Sequence, residues 1–238
     1  MGRKWNNIKY GKASKDAAKG KLYGRFGKEI YMAAKNGEPD VEMNRNLASV
    51  VDRGKVAGVP RDIIERAINK AKSGADENYE PIRYEGYGPS GSAIIVDTLS
   101  DNVNRTVAEV RNVFKKNGGN MGVSGAVTFM FERATLFVFK GYEEEVVLEA
   151  LMDADVDVRD IETEDEFTSV IADQEQFKAV QTVLTKMGVM EFEEADLTMI
   201  PTSTTVLEGE DLEKFIKLIN ALEELDDVTN VYHNVELT

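Results

Sequence analysis

Cysteine is absent from this chain, and histidine and tryptophan each occur once, at His233 and Trp5. Without thiols there are no disulfides, no thiolate zinc sites and no thiol nucleophile. A single imidazole leaves no room for a His-rich metal site and hardly any for a catalytic triad, so His233 is read as a structural or edge residue. Long hydrophobic runs are missing too. Nothing approaches the roughly 18 uncharged apolar residues of a membrane span, and Met1-Gly2-Arg3-Lys4-Trp5-Asn6-Asn7 lacks the apolar core of a signal peptide. The expectation is a soluble, cytoplasmic protein with no membrane partner. Its 238 residues, 42% of them hydrophobic, suffice for one large domain or two to three small ones.

What the chain does have is negative charge, −14 overall, with one segment that reverses it. Between Met1 and Lys35 ten Lys or Arg stand against Asp16 and Glu29 alone, so this segment carries +8 and the remainder −22. Residues 1–80 hold 17 basic and 11 acidic side chains, residues 81–130 hold 5 and 4, and residues 131–238 hold 7 and 28. A protein this acidic repels polyanions through its mean field. A confined cationic segment interleaved with Trp5, Tyr10, Tyr23, Phe26 and Tyr31 therefore points to a directed polyanion contact.

Apolar spacing divides the chain in the same way. Leu22, Phe26, Ile30 and Ala33, then Leu47, Val50 and Val51, then Ile64, Ala67, Ile68 and Ala71 recur at helical intervals, with breaks at Asn36–Pro39 and Gly58–Pro60. A straight helix over Lys12–Lys35 would put Lys12, Lys15 and Lys19 on the same side as Leu22, Phe26 and Ile30. Either Gly20 breaks that helix, or its amino-terminal part projects beyond the bundle; both leave residues 1–20 as an arm. After Tyr79 the period changes. Ser92–Leu99, Asn102–Asn117 and Ala126–Phe131 read as strand, helix and strand. Ala134–Phe139, Glu143–Met152, Val156–Ile161, Phe167–Ala172, Gln174–Met187 and Val189–Leu197 then form a β-α-β-β-α-β series, the split order of ferredoxin-like folds. Thr204–Leu207, Asp211–Leu225 and Val228–Val235 supply a further strand, helix and strand. The expected fold is multi-domain α+β: a basic helical domain over residues 1–80, a discontinuous α/β domain of residues 81–131 plus 201–238, and an acidic α/β domain of residues 132–200 inserted into it.

Most chemical motifs fail on context. Gly86-Tyr87-Gly88-Pro89-Ser90-Gly91 spells a dinucleotide fingerprint, but that motif needs a helix at once, and Ser92 opens a β-branched run. It is read as a tight turn between strands. Asp153, Asp155, Asp157 and Glu164 fit a calcium loop except at the turn position, where glycine is needed and Val158 stands. With 28 acids among 108 residues, carboxylate pairs arise by chance and none can be named a general acid or base. No catalytic residue, metal, cofactor or small-molecule substrate is expected, and the protein is read as a non-enzyme. Two secondary contact candidates remain. Lys115 and Lys116 precede the glycine-rich Gly118–Gly125 loop and could track a phosphate backbone, although they equally complement a helix dipole above a Gly118 cap. Arg105 follows Asn102, a residue suited to cap the helix it opens.

Gly2-Arg3-Lys4-Trp5-Asn6-Asn7-Ile8-Lys9, Lys12 and Asp16, Gly20-Lys21, Lys28-Glu29-Ile30, Tyr84-Glu85-Gly86-Tyr87-Gly88-Pro89 and Asp101-Asn102-Val103-Asn104-Arg105-Thr106, with Gly118-Gly119 and Gly125, closely resemble the YebC/PmpR family across essentially the whole chain. The opening Gly-Arg-Lys-Trp is similar to the YeeN subgroup. Ser90 stands where glycine is more usual, and Leu99-Ser100 replace the usual Thr before Asp101. The resemblance implies a helical amino-terminal domain followed by two α/β domains, a cytoplasmic location and no enzymatic activity. It also implies a probable DNA-binding transcriptional regulator, while mitochondrial relatives are translational activators and some bacterial members relieve ribosome stalling.

The leading expectation is thus a DNA-binding transcriptional regulator in which Arg3, Lys4, Lys9, Lys12, Lys15, Lys19, Lys21, Arg25 and Lys28 neutralise phosphates and Trp5 or Tyr10 can stack on bases. The alternative is a translation factor that meets ribosomal RNA through the same arm. Either contact should weaken steeply with salt.

Overall fold

A computed structural model describes residues 15–237 of the chain, with side chains from Lys19 onward. Arg3, Lys4, Trp5, Lys9 and Lys12 lie outside the described residues, and of Lys15 only the backbone is described. Helix α1 (Lys15–Lys35) runs unbroken through Gly20, Gly24 and Gly27, so Gly20 does not end it. Helices α2 (Arg45–Val56) and α3 (Arg61–Lys72) complete a bundle in which Phe26, Ile30, Tyr31 and Ala34 are buried against Leu47, Val50, Val51, Ile64 and Ala67. Asn44 starts α2 by accepting the Leu47 N–H at 3.0 Å, while its amide donates to the Ala33 and Glu38 carbonyls. Tyr31 Oη donates to the Ala75 and Glu77 carbonyls and ties down the exit from the bundle.

The first sheet opens on a strand that the apolar pattern did not reveal. Strand β1 (Glu80–Tyr87) pairs along its whole length with β2 (Ala93–Ser100), from Glu80↔Ser100 to Tyr87↔Ala93. Its charges hid it. Arg83 reaches across to Asp97 at 2.6 Å, and Glu85 is buried. The turn between the two strands is the Gly86–Gly91 segment, with Ser90 and Gly91 in the left-handed region at φ 53° and 74°. Helix α4 (Val103–Lys116) follows, capped by Asn102, and then β3, only Asn120–Met121.

The expected strand over Ala126–Phe131 is absent; residues 122–130 form a loop ending in a 3₁₀ turn at Thr128–Met130. Glu85 is the cause. Its carboxylate accepts the N–H groups of Gly125, Val127 and Thr128 at 2.7–2.8 Å, a convergence that an extended chain cannot make. Burial alone would raise the Glu85 pKa; the backbone donors outweigh it and lower it.

Strand β4 (Phe131–Lys140), α5 (Glu144–Asp153), β5 (Asp160–Glu164), β6 (Phe167–Ala172), α6 (Phe177–Met187) and β7 (Glu194–Pro201) build the second antiparallel sheet in the order β5-β6-β4-β7, with the split order expected. Two strands sit later than the pattern predicted. Asp155 takes φ 55° and delays β5, and Val189–Phe192 turns inward after the Gly188 cap, with Phe192 packed 5.3 Å from Phe137. The chain then returns to the first sheet. Short β8 (Thr205–Val206), α7 (Gly209–Glu223), β9 (Val228–His233) and β10 (Val235–Glu236) follow, and β9 pairs with β2, giving the order β3-β1-β2-β9. Helices α4 and α7 cover one face of this sheet through Val110, Phe114, Phe215 and Leu222 packed on Ile94 and Val96. The whole is multi-domain α+β.

Candidate nucleic-acid interface

The cationic segment divides once folded. Lys19 and Lys21 are exposed at the amino-terminal end of α1, while four residues beyond Lys21 the same helix is held by the rest of the molecule. Arg25 Nη1 donates to Asn230 Oδ1 at 2.8 Å, Nη2 pairs with Asp196, and Nε faces Glu29 at 3.6 Å. Arg53 joins the group, with Nη1 2.7 Å from Asp196 and Nη2 3.1 Å from Glu29. One carboxylate of β7 therefore receives guanidinium groups from two helices, beside an amide from β9. Burial favours neutral groups, yet Asp196 and Glu29 raise the Arg25 pKa, and Arg25 and Arg53 lower that of Asp196.

Arg25 is thus turned inward, its guanidinium engaged within the molecule. Lys28 is largely committed as well: Nζ donates to the Leu99 carbonyl at 3.3 Å, pairs with Asp227 at 3.5 Å and lies over the Tyr79 ring. Arg105, a second candidate, pairs with Asp101 at 2.8 Å and Asp227 at 2.5 Å. Asp227 also accepts hydrogen bonds from Ser100 and Thr106 at 3.0 and 2.6 Å. It is a buried anchor for three elements, and although burial acts to raise its pKa, those donors lower it.

Lys115 and Lys116 remain exposed in the last turn of α4, above Gly118 at φ 77°. They sit on the helix-covered face of the first sheet, whereas Arg25 meets Asn230, whose strand partner Asp97 lies on the opposite face with Arg83. Among the described residues, Lys19 and Lys21 on α1 and Lys115 and Lys116 on α4 thus belong to different helices. His233 stacks edge-on against Phe215 at 5.0 Å, inside the packing of α7.

Between α1, β7, β9 and α7 lies a cleft of about 1480 Å³. Lys19, Lys21 and Lys55 line it on the side of the bundle, facing Glu191, Glu193, Glu194, Glu223, Glu224 and Asp226. Lys21 is among its lining residues; desolvation lowers its pKa, and Glu223, Asp226 and Glu224 partly restore it. Asp196, Asp227 and Glu85 organise these junctions, and none was singled out from sequence. For Asp196 a signal existed: it is the lone charge inside Ala195–Ile200, in phase with Leu136 across the sheet.

Residues 3–74 match the TACO1/YebC protein N-terminal domain, and residues 79–235 match the TACO1/YebC second and third domain. The chain belongs to the TACO1/YebC family. A crystal structure of a conserved hypothetical protein from Aquifex aeolicus, Aq1575, is similar throughout: 39% identity, 94% of this chain and 93% of that one covered, TM-score 0.80. The two matched stretches meet at the end of the helical bundle, where Tyr31 binds the 75–77 carbonyls, so the TACO1/YebC division coincides with a structural seam. Among the described residues of this TACO1/YebC chain, no helix is long and apolar enough to cross a membrane.

Proposed function

We propose that this protein is a nucleic-acid-binding regulator that grips a phosphate backbone through its cationic amino-terminal segment and performs no chemistry of its own. The observation that carries this reading is the exposure of Lys19 and Lys21 on α1, in continuity with Arg3, Lys4, Lys9, Lys12 and Lys15, while Arg25 and Lys28 on the same helix are consumed in internal bonds. Along the described part of α1, positive charge thereby stays exposed toward the amino-terminal end and is cancelled further along the helix. The acidic α/β domains keep the rest of the chain off a polyanion, which fits a localised grip better than wrapping.

Of the two regulatory roles, transcription control on duplex DNA and translation control on ribosomal RNA, one feature favours the second. Helix α3, exposed along the bundle, has Arg61, Arg66 and Lys70 each paired with a carboxylate, at 2.6, 3.0 and 2.5 Å. Three of its four basic side chains are thus spent on carboxylates, which leaves little surplus charge for a DNA groove, whereas structured RNA is recognised largely through backbone and shape. The test is cosedimentation of the full chain with ribosomes, against the variant Lys12→Glu/Lys15→Glu/Lys19→Glu. Loss in the variant supports the reading. Promoter footprinting at physiological salt without ribosome binding would transfer it to DNA, and undiminished binding of both nucleic acids by the variant would end it.

A further inference from the structure

The second sheet has helices α5 and α6 on one face, where Phe137, Phe139 and Val170 pack against Val147, Leu151, Val180 and Leu184. Its other face carries Ala134, Leu136, Val138 and Ile171, each no more than 3% exposed. The apolar side chains packed against this group, Phe167 and Ile200, belong to the same sheet. Such a face left open would be wet. Among the described residues, no other element contributes an apolar side chain to cover it.

Its charge indicates what does. The strand registers set Asp160 beside Ile171, Glu162 beside Ser169 and Glu164 beside Phe167 on one edge strand, and Asp196 beside Leu136 and Glu194 beside Val138 on the other. An apolar strip is thus bordered by carboxylates on both sides. The cationic segment already touches this face at one point, through Arg25 and Asp196. Toward its amino-terminal end, α1 contributes Lys19 and Lys21 to the cleft that Glu194, Asp196, Thr198 and Ile200 also line. Residues 1–14 precede this point. They hold Arg3, Lys4, Lys9 and Lys12, no acid, and the apolar Trp5, Ile8 and Tyr10. Fourteen residues can reach up to about 45 Å, against about 15 Å across four strands.

We infer that residues 1–14 dock on this acidic-bordered apolar face of the second sheet in the free protein, cations on the carboxylates and Trp5, Ile8 or Tyr10 on the strip. The consequence for binding rests on the proposed function: a nucleic acid that uses the same cations must displace the segment from its own domain, so the face acts as an internal competitor. The docking itself does not depend on that reading.

Trp5 is the chain's single tryptophan and reports on the segment directly. In the full-length protein without nucleic acid, its emission should be blue-shifted and its quenching by acrylamide several-fold weaker than in a peptide of residues 1–14. Glu162→Lys/Glu164→Lys should move both toward the peptide values, as should high salt. The control Glu145→Lys/Glu149→Lys, an equal charge change on the far side of the same domain, should move neither, and circular dichroism identifies a variant that fails to fold. If Trp5 in the native chain behaves as in the peptide, or if both double variants shift it equally, the inference is overturned. If Trp5 is protected yet the Glu162/Glu164 variant binds ribosomal RNA no more tightly than the native chain, docking stands and competition falls.

Discussion

Asp196 on β7 and Arg25 on α1 form an ion pair between side chains only 12% and 9% exposed, at the point where the helical bundle meets both sheets. Arg53 shares the carboxylate at 2.7 Å, and Asn230 shares the guanidinium at 2.8 Å. Removing one partner leaves the others buried and uncompensated, an effect of about 3–5 kcal/mol for buried pairs. Asp196→Ala should therefore lower the urea midpoint by that equivalent with no new unfolding phase. An effect below about 1 kcal/mol, the value of an exposed pair, would mean that the junction is open in solution.

Much of the architecture was legible because periodicity reports directly on burial. Helix α4 and strand β6 stand where their apolar spacing put them, and Asn102 and Gly118 cap α4 as their chemistry predicts. What escaped were the places where a charge does structural work. Strand β1 was obscured by Arg83 and Glu85, and the strand expected at Ala126–Phe131 gave way to a loop gathered around the same Glu85. Of the candidate interface, the helical phase set Lys19 on the side of Leu22, Phe26 and Ile30; of the two ways out, a break at Gly20 is not found, and Lys19 is exposed on a continuous α1. The inward turn of Arg25 was not legible, because its partners lie 171 and 205 residues away.

Acid should unfasten these junctions in a defined direction. Glu85, Asp196 and Asp227 all have folded-state pKa values lowered below their ordinary ones. Each contributes stability that is fully present above the unfolded carboxylate pKa of about 4 and is lost as pH falls through the lower folded value. The melting temperature should hold steady from pH 7 to about 5 and fall below about 4. Glu85→Gln should flatten that fall, lower stability at pH 7 by about 1–3 kcal/mol, and raise hydrogen exchange at Gly125, Val127 and Thr128. A variant with unchanged exchange there would remove the carboxylate from its role in the loop.

Two glycines should respond to alanine with opposite signs. A Cβ on Gly86 would lie 2.7 Å from a Phe114 ring carbon and 2.8 Å from the Asn120 carbonyl oxygen, whereas one on Gly24 meets nothing within 4 Å. Gly86→Ala should cost about 1–3 kcal/mol by overpacking. Gly24→Ala, on the exposed side of α1, should gain about 0.5–1 kcal/mol from helix propensity. Denaturant titration reads both, and a loss at Gly24 would indicate that α1 is not a continuous helix there.

The division of the cationic segment into an outer and an inner part makes the two separable by experiment. Lys19→Ala/Lys21→Ala removes exposed charge from the proposed contact, so folding stability should change by less than about 0.5 kcal/mol. Two phosphate contacts fewer should reduce the slope of log affinity against log salt by about 1.4–1.8. Arg25→Ala does the reverse. It strips Asp196 of one partner and should destabilise the fold, while the fraction that remains native keeps its salt slope, because the guanidinium faces a carboxylate and not a phosphate. Measuring both variants by fluorescence anisotropy across a salt series, at a temperature where each is folded, distinguishes the assignments. A reduced slope for folded Arg25→Ala would return Arg25 to the contact surface and shift the binding face toward the cleft between α1 and β7.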